Sequence, residues 1–224
     1  SGLTGQVVRL QGSTNAALGS VINRGNTNAG SLGLQMTDAR WLALSNLTFR
    51  GGYVGVSVTN SSDLSLAVRA WSNASDGVLI GRSTNIALSR ASSVANQGRG
   101  FSLISSTNLL LEHALAWSNA GSAVYLNASQ IKVTNSILTA HASGRYIYES
   151  ATTNDTVRAD YNNVLITAPA QAALLGSRVH RFLINLQNEA GVDVRSLSHA
   201  PDFADAAAGD FHLKSTVGRW VPGL

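Results

Sequence analysis

Apolar and polar positions alternate in short runs between residues 42 and 149, and the runs recur about every 22 to 23 residues. Leu42, Leu64, Ile86, Leu109 and Ile131 form one column, with successive gaps of 22, 22, 23 and 22. A second column starts with small residues: Gly33-Leu34-Gln35-Met36, Gly55-Val56-Ser57-Val58, Gly77-Val78-Leu79-Ile80, Gly100-Phe101-Ser102-Leu103 and Ala123-Val124-Tyr125-Leu126. Apolar–x–apolar triplets of this kind predict short strands whose side chains point alternately in and out. Each repeat holds two clear triplets and a looser third one. A fixed period of this size marks a solenoid, in which each unit buries its apolar face only against its neighbours.

Turn residues recur at matching places. Ser72-Asn73, Ala95-Asn96 and Ser118-Asn119 mark one corner, and Thr84-Asn85 and Thr107-Asn108 another. Asn tolerates left-handed backbone angles and bonds locally, so it suits tight corners. Asn residues in register can also bond from coil to coil. Three strands and three corners per turn predict an all-β fold, a right-handed single-stranded parallel β-helix with coils about 4.8 Å apart. Trp71, Val94 and Trp117 should stack. They form either an internal apolar column or a ligand platform. A leucine-rich repeat is excluded, because the positions that should carry Asn or Cys hold Leu47, Arg69, Ala91, Ala114 and Ser136.

The ends are less regular. Residues 1–33 read as N-terminal strands and a first coil, 34–166 as regular coils, and 167–224 as a capping segment of the same domain. No amphipathic helix covers the N-terminal edge, and an uncovered β edge invites pairing, so the expectation is more protein before Ser1, such as neighbouring domains of a larger chain, or a first segment bent over the end, with self-association through that edge or along a flank as a further possibility. Residues 156–162 predict one more coil. Residues 169–175 and 178–188 predict helical turns, the second ended by Gly191, with Phe182, Leu183 and Leu186 as its apolar side. That helix should cover the last coil or pack against its flank.

Composition narrows the class. Charged residues make up 12% of the chain, against roughly 25% in ordinary domains. Ser, Asn, Thr, Gly and Ala take their place, which suits a β-rich protein that is secreted or displayed at the cell surface. The formal net charge of +4 and the pI near 9.9 favour a polyanionic partner. The basic residues are scattered, so nucleic acid is not expected. There is no Cys, which excludes disulfides and thiol chemistry. No apolar run approaches the roughly 18 residues of a membrane span. The chain opens Ser1-Gly2, as an excised piece of a larger protein would.

The tail carries a resemblance. Leu186-Gln187-Asn188-Glu189-Ala190-Gly191-Val192-Asp193, Ser196-Leu197-Ser198, Pro201, Phe203 and Gly209-Asp210-Phe211-His212-Leu213 resemble an ending common in bacterial right-handed parallel β-helix proteins of the pectate-lyase-like superfold. That ending runs Trp-Gln, Gly-x-Asp, Ser-Leu, Asp-Pro-x-Phe, Gly-Asp-Phe-x-Leu, and Asp160-Tyr161-Asn162 matches a further segment. Leu186 stands where Trp is usual, and Ala200 where Asp is usual. The resemblance implies the β-helix fold. It also implies a choice among polysaccharide lyases, glycoside hydrolases, epimerases and adhesive or structural modules, which a shared fold does not settle.

A lyase of this kind needs a base and a means of neutralising a uronate carboxylate, often Ca²⁺ held by several acids. Only Asp38, Asp63, Asp76, Glu112 and Glu149 lie between residues 34 and 150, and they are scattered. His113, His141, His180, His199 and His212 have no metal-ligand spacing. No metal and no cofactor is expected. Asp76 and Arg99, 23 apart, form either a surface ion pair between coils or half of a site. Tyr125 and Tyr148, also 23 apart, are expected at the outward position of one strand stack, with Tyr146, Arg145 and Glu149 alongside. A Tyr ladder beside an Arg can stack sugar rings and bond their hydroxyls or carboxylates. It can equally be a cross-strand pair that stabilises the sheet. Tyr125, Tyr146, Tyr148 and Arg145 are therefore the candidate ligand-binding residues. Arg99, Arg145 and Glu149 are the weaker catalytic candidates. The leading expectation is a non-catalytic scaffold or glycan-binding module. The alternatives are a lyase or hydrolase acting on acidic polysaccharide, and a self-associating adhesive module.

Overall fold

The protein is described by a computed structural model, which covers residues 6–14, 19–142 and 145–214. It is a parallel β-solenoid of about seven turns. The predicted column is in register: Leu42 pairs with Leu64, Leu64 with Ile86, Ile86 with Leu109, and Leu109 with Ile131. Val8 extends the column at the N-terminal end and Val157 at the other.

Two large sheets wrap the core. An eight-stranded sheet stacks Leu32–Thr37, Val54–Thr59, Val78–Gly81, Phe101–Ile104, Val124–Asn127, Tyr146–Ser150 and Gln171–Leu175, and closes with the antiparallel strand Arg178–His180. The twelve-stranded sheet begins with Val8–Gln11 and Ser20–Asn23, both paired to the long strand Arg40–Arg50, which is followed by the long strand Ser62–Trp71. Beyond them each coil divides its path into two short strands, such as Thr107–Glu112 and Leu115–Trp117. Those two plus one from the smaller sheet give the predicted three per turn. Left-handed residues make the corners, among them Asn60, Asn85, Asn108 and Asn135.

The Asn corner forms a buried ladder. Asn73 Nδ2 donates to Asn96 Oδ1 at 2.9 Å, and Asn96 Nδ2 donates to Asn119 Oδ1 at 2.9 Å. A Ser ladder of the same kind joins Ser61, Ser83, Ser106 and Ser129 through backbone N–H donors. The small residue opening each strand is explained by close approach. A Cβ on Gly77 would lie 2.0 Å from Ser93 Oγ, a residue of the opposite wall.

The sheet continues beyond the coils read from sequence. Residues 171–175, expected to be helical, form a strand paired with Tyr146–Ser150. Ala172 and Ala173 are fully buried there, so packing overrides the helical preference of Ala. The helix occupies Leu183–Ala190 only, and residues 178–180 are a strand. Leu186 is fully buried in the core. Gly191 ends the helix in the left-handed conformation, and its N–H donates to Gln187 O.

The tail motifs hold this cap in place. Asp193 Oδ1 accepts from Asn162 Nδ2 at 2.7 Å and from Ser196 Oγ at 2.6 Å. Gln187 Nε2 donates to Asp193 O and Ser196 O. Farther on, the hairpin of Phe203–Asp205 and Asp210–Leu213 lies along the flank of the solenoid. At the opposite end Val8, Leu10, Val21 and Ile22 are exposed on strands paired to Arg40–Arg50. Among the described residues no helix is long and apolar enough to cross a membrane.

Candidate functional site on the outer face of the smaller sheet

Parallel pairing places Ser102, Tyr125 and Glu149 side by side on three successive strands. In Val124–Asn127 the alternation sends Val124 and Leu126 inward and leaves Tyr125 half-buried on the outer face. Arg99 precedes the strand Phe101–Ile104 and folds back over this row. Its Cζ lies 3.4 Å from the centre of the Tyr125 ring. Its Nη2 is 3.8 Å from Glu149 Oε1. Ser122 Oγ donates to the other carboxylate oxygen, Glu149 Oε2, at 2.6 Å. The N–H of Tyr146 in turn donates to Ser122 Oγ at 3.1 Å.

A second carboxylate flanks the group. Asp76 Oδ1 accepts from the backbone N–H of Arg99 at 2.8 Å, and Asp76 Oδ2 accepts from Ser102 Oγ at 2.6 Å. Asp76 and Arg99 thus meet through the backbone, not as the surface ion pair suggested by spacing. Arg99 directs its guanidinium to Tyr125 and Glu149 instead. Its side chain is 35% exposed and that of Glu149 is 21% exposed, so both remain reachable from solvent.

The other candidates fall in different places. Tyr146 is half-buried at the start of the strand that carries Glu149, and Arg145, the residue before it, is exposed. Tyr148 is not on the outer face. It pairs with Val124, is fully buried and belongs to the core. The coil from Val124 to Tyr148 is 24 residues long, one longer than its predecessor from Phe101 to Val124. A slip of one residue exchanges the two faces of a strand. Glu149 therefore takes the position expected for Tyr148, and the Tyr ladder is reduced to Tyr125. Inside, Tyr148 lies next to the buried Asp193. Tyr148 Oη and Asp193 Oδ2 interact with each other without forming a well-aligned hydrogen bond. Burial raises the Tyr148 hydroxyl well above its ordinary pKa, and burial likewise raises the Asp193 carboxyl.

Sequence reasoning gave no role to Ser102, nor to Ser122, which continues the Asp76–Arg99 column toward Arg145; they are the hydroxyls that orient the two carboxylates. Both lie one coil from a named candidate, and that register was the available signal. The Trp column is in register as expected, with Val94 paired to both Trp71 and Trp117. It lies outside the main core, in a separate cluster with Phe203 and Phe211. Trp117 meets Phe203 edge-on at 5.0 Å, so the tail hairpin covers these rings. Among the described residues no three His, Asp or Glu side chains gather as metal ligands would.

Residues 32–177 match the family described as the right handed beta helix region. The chain belongs to that family. No curated protein matches it in sequence. Among solved structures it is similar to the A-module of mannuronan C-5 epimerase AlgE6 from Azotobacter vinelandii, with a TM-score of 0.60 and 14% identity over 76% of this chain and 49% of that one. It is also similar to the A-module of AlgE4 from the same organism, with a TM-score of 0.55 and 13% identity over 75% of this chain and 48% of that one. This right-handed β-helix therefore spans about half the length of those modules, and at such identity the likeness is one of fold.

Proposed function

We propose that this β-helix is a carbohydrate-recognising module of a larger secreted or cell-surface bacterial protein. Its ligand is an acidic polysaccharide lying across the outer face of the smaller sheet. The observation that carries the reading is the Arg99 guanidinium packed 3.4 Å over the Tyr125 ring and shared with Glu149. A planar guanidinium fixed by an aromatic face loses little freedom on binding a carboxylate, and it bonds that group through two parallel N–H donors. The exposed part of Tyr125 stacks against a sugar ring, while Asp76 and Glu149 accept from sugar hydroxyls. The exposed Arg145 attracts the polymer's charge.

A second reading is favoured by the convergence of Arg99, Tyr125 and Glu149 within one patch. A uronate bound with its carboxylate on Arg99 would have a weakly acidic C–H beside that carboxylate. Glu149 would accept that proton and the Tyr125 hydroxyl would deliver one, which is the chemistry of elimination or epimerisation.

The test starts with mannuronan, a polymer suggested by the structures of similar fold, beside polygalacturonate and neutral dextran. Wild type should bind a uronate polymer and not dextran. Tyr125→Ala and Arg99→Ala should each weaken binding at least tenfold, about 1.4 kcal/mol. Absence of binding to every uronate polymer refutes the proposal. Ultraviolet absorbance from unsaturated products, and the proton spectrum at C-5, decide between the readings. Turnover abolished by Glu149→Gln establishes catalysis, whereas binding without turnover establishes the module.

A further inference from the structure

The larger sheet presents a different feature. Strand Gln130–Thr134 lies between Thr107–Glu112 and Thr156–Asp160. Lys132 points outward from it, with Leu110 on one side and Arg158 on the other. Two cations therefore stand in register on adjacent coils, their backbones about 4.8 Å apart. Both are exposed. Among the described residues neither makes an ion pair. Of the acids on these strands, Asp160 is held by Arg195 at 2.6 Å, and Glu112 lies opposite Thr134, not opposite Lys132.

Like charges directly opposite on neighbouring strands repel. Most basic side chains among the described residues have no carboxylate within 4 Å; what sets Lys132 and Arg158 apart is that they lie directly opposite each other on paired strands. A groove of about 340 Å³ opens over the two side chains, lined also by Asn108, Gln130 and Thr156. A second hollow of about 400 Å³ continues past Arg158 to the end of the helix. The lining thus combines two cations with amides, a hydroxyl and the apolar Leu109 and Ile131.

We propose that Lys132 and Arg158 form a second binding site, for a carboxylate or sulfate group of an acidic polysaccharide, on a sheet distinct from the one that carries Tyr125. The anion sits between the two cations and removes their repulsion. Asn108, Gln130 and Thr156 bond the hydroxyls of the attached sugar. Nucleic acid fits less well, because the lining holds no aromatic side chain on which a base would stack. The inference does not depend on the Tyr125 patch, and the two fail separately.

The experiment is affinity electrophoresis in gels containing a uronate homopolymer, a sulfated glycan, dextran or single-stranded DNA. It uses wild type, Lys132→Ala, Arg158→Ala, the double charge reversal Lys132→Glu with Arg158→Glu, and Tyr125→Ala. Tyr125→Ala should still be retarded by at least one anionic glycan. The single Ala variants should lose at least threefold of the remaining affinity, and the double reversal at least tenfold. The carboxylated and sulfated gels report which anion is preferred. Lys132→Ala and Arg158→Ala should each melt at or above the wild-type temperature, since each removes the repulsion. Unchanged retardation of the double reversal overturns the proposal. So does DNA binding as tight as glycan binding, or retardation by dextran.

Discussion

Asn96 offers a direct measure of what the internal ladder contributes. The side chain is 1% exposed. Its Oδ1 accepts from Asn73 N at 3.0 Å and from Asn73 Nδ2 at 2.9 Å. Its Nδ2 donates to Ala70 O at 3.2 Å, Ser93 Oγ at 3.0 Å and Asn119 Oδ1 at 2.9 Å. In Asn96→Ala the buried N–H of Asn73 loses its acceptor. Asn73 Nδ2 keeps Phe49 O, and Asn119 Oδ1 keeps the N–H of Asn96. One orphaned buried donor costs about 1–3 kcal/mol, and each further net hydrogen bond lost costs about 1 kcal/mol. The orphan at about 2 kcal/mol, the Asn73 Nδ2 bond and the two N–H groups of the Asn96 amide at about 1 kcal/mol each sum to about 5 kcal/mol, or roughly 10–20 °C in melting temperature for a domain of this size. The matched control is Thr107→Ala. Thr107 is an exposed rung, 3.3 Å from Thr84, and its loss should stay within about 0.5 kcal/mol. Urea unfolding followed by circular dichroism gives both values. A loss below about 1 kcal/mol at Asn96, or one equal to the Thr107 control, would show that the ladder is geometric without being energetic.

Three further outcomes are expected. Gly77→Ala places a methyl 2.0 Å from Ser93 Oγ and 2.7 Å from Asn96 Nδ2, and overpacking should cost about 2 kcal/mol, read as a lower urea midpoint. Asp193 has its carboxyl raised by burial, so its protonated form is favoured in the folded state. Its contribution to stability is therefore complete below the unfolded value of about 3.9 and is lost as pH rises through the higher folded value. Asp193→Asn should flatten that part of the urea-midpoint profile, and a profile parallel to wild type would contradict the assignment. Gly209 has φ +84 and its added Cβ would lie 2.2 Å from the Trp71 ring, so Gly209→Ala should detach the hairpin and raise quenching of Trp fluorescence by acrylamide, with little change in the far-ultraviolet spectrum.

The columns in the sequence made the coils legible, since a parallel solenoid converts spacing directly into contact. Leu42 through Ile131, the Asn corner and the Trp row all sit where their spacing places them. The error at Tyr148 has a local cause. The strand Tyr146–Ser150 buries Ile147 and Tyr148 in succession, and Ser150 fills the place that Leu126 holds one coil earlier. A buried Ser erased the apolar marker that would have revealed the shifted register. The strand at Gln171–Leu175 was hidden in the same way, because Ala172 and Ala173 serve a narrow part of the core where larger β-formers do not fit. Of the site, Arg99, Tyr125 and Glu149 were legible as neighbours. The role of the serines that aim the carboxylates was not, because Ser is so frequent in this chain that no single one stands out.

The tail hairpin has a mechanical meaning. Coils in a repeat array touch only the coils above and below, so such a molecule can unravel from either end one layer at a time. Here Arg69 Nη1 donates to Gly209 O across 140 positions of sequence, and Phe203 and Phe211 bridge Trp71 and Trp117, two layers apart. The hairpin acts as a clasp over several layers, so those layers must open together. A chain severed before residue 201 would keep its coils but peel gradually, and its sharp unfolding transition would broaden into a slope.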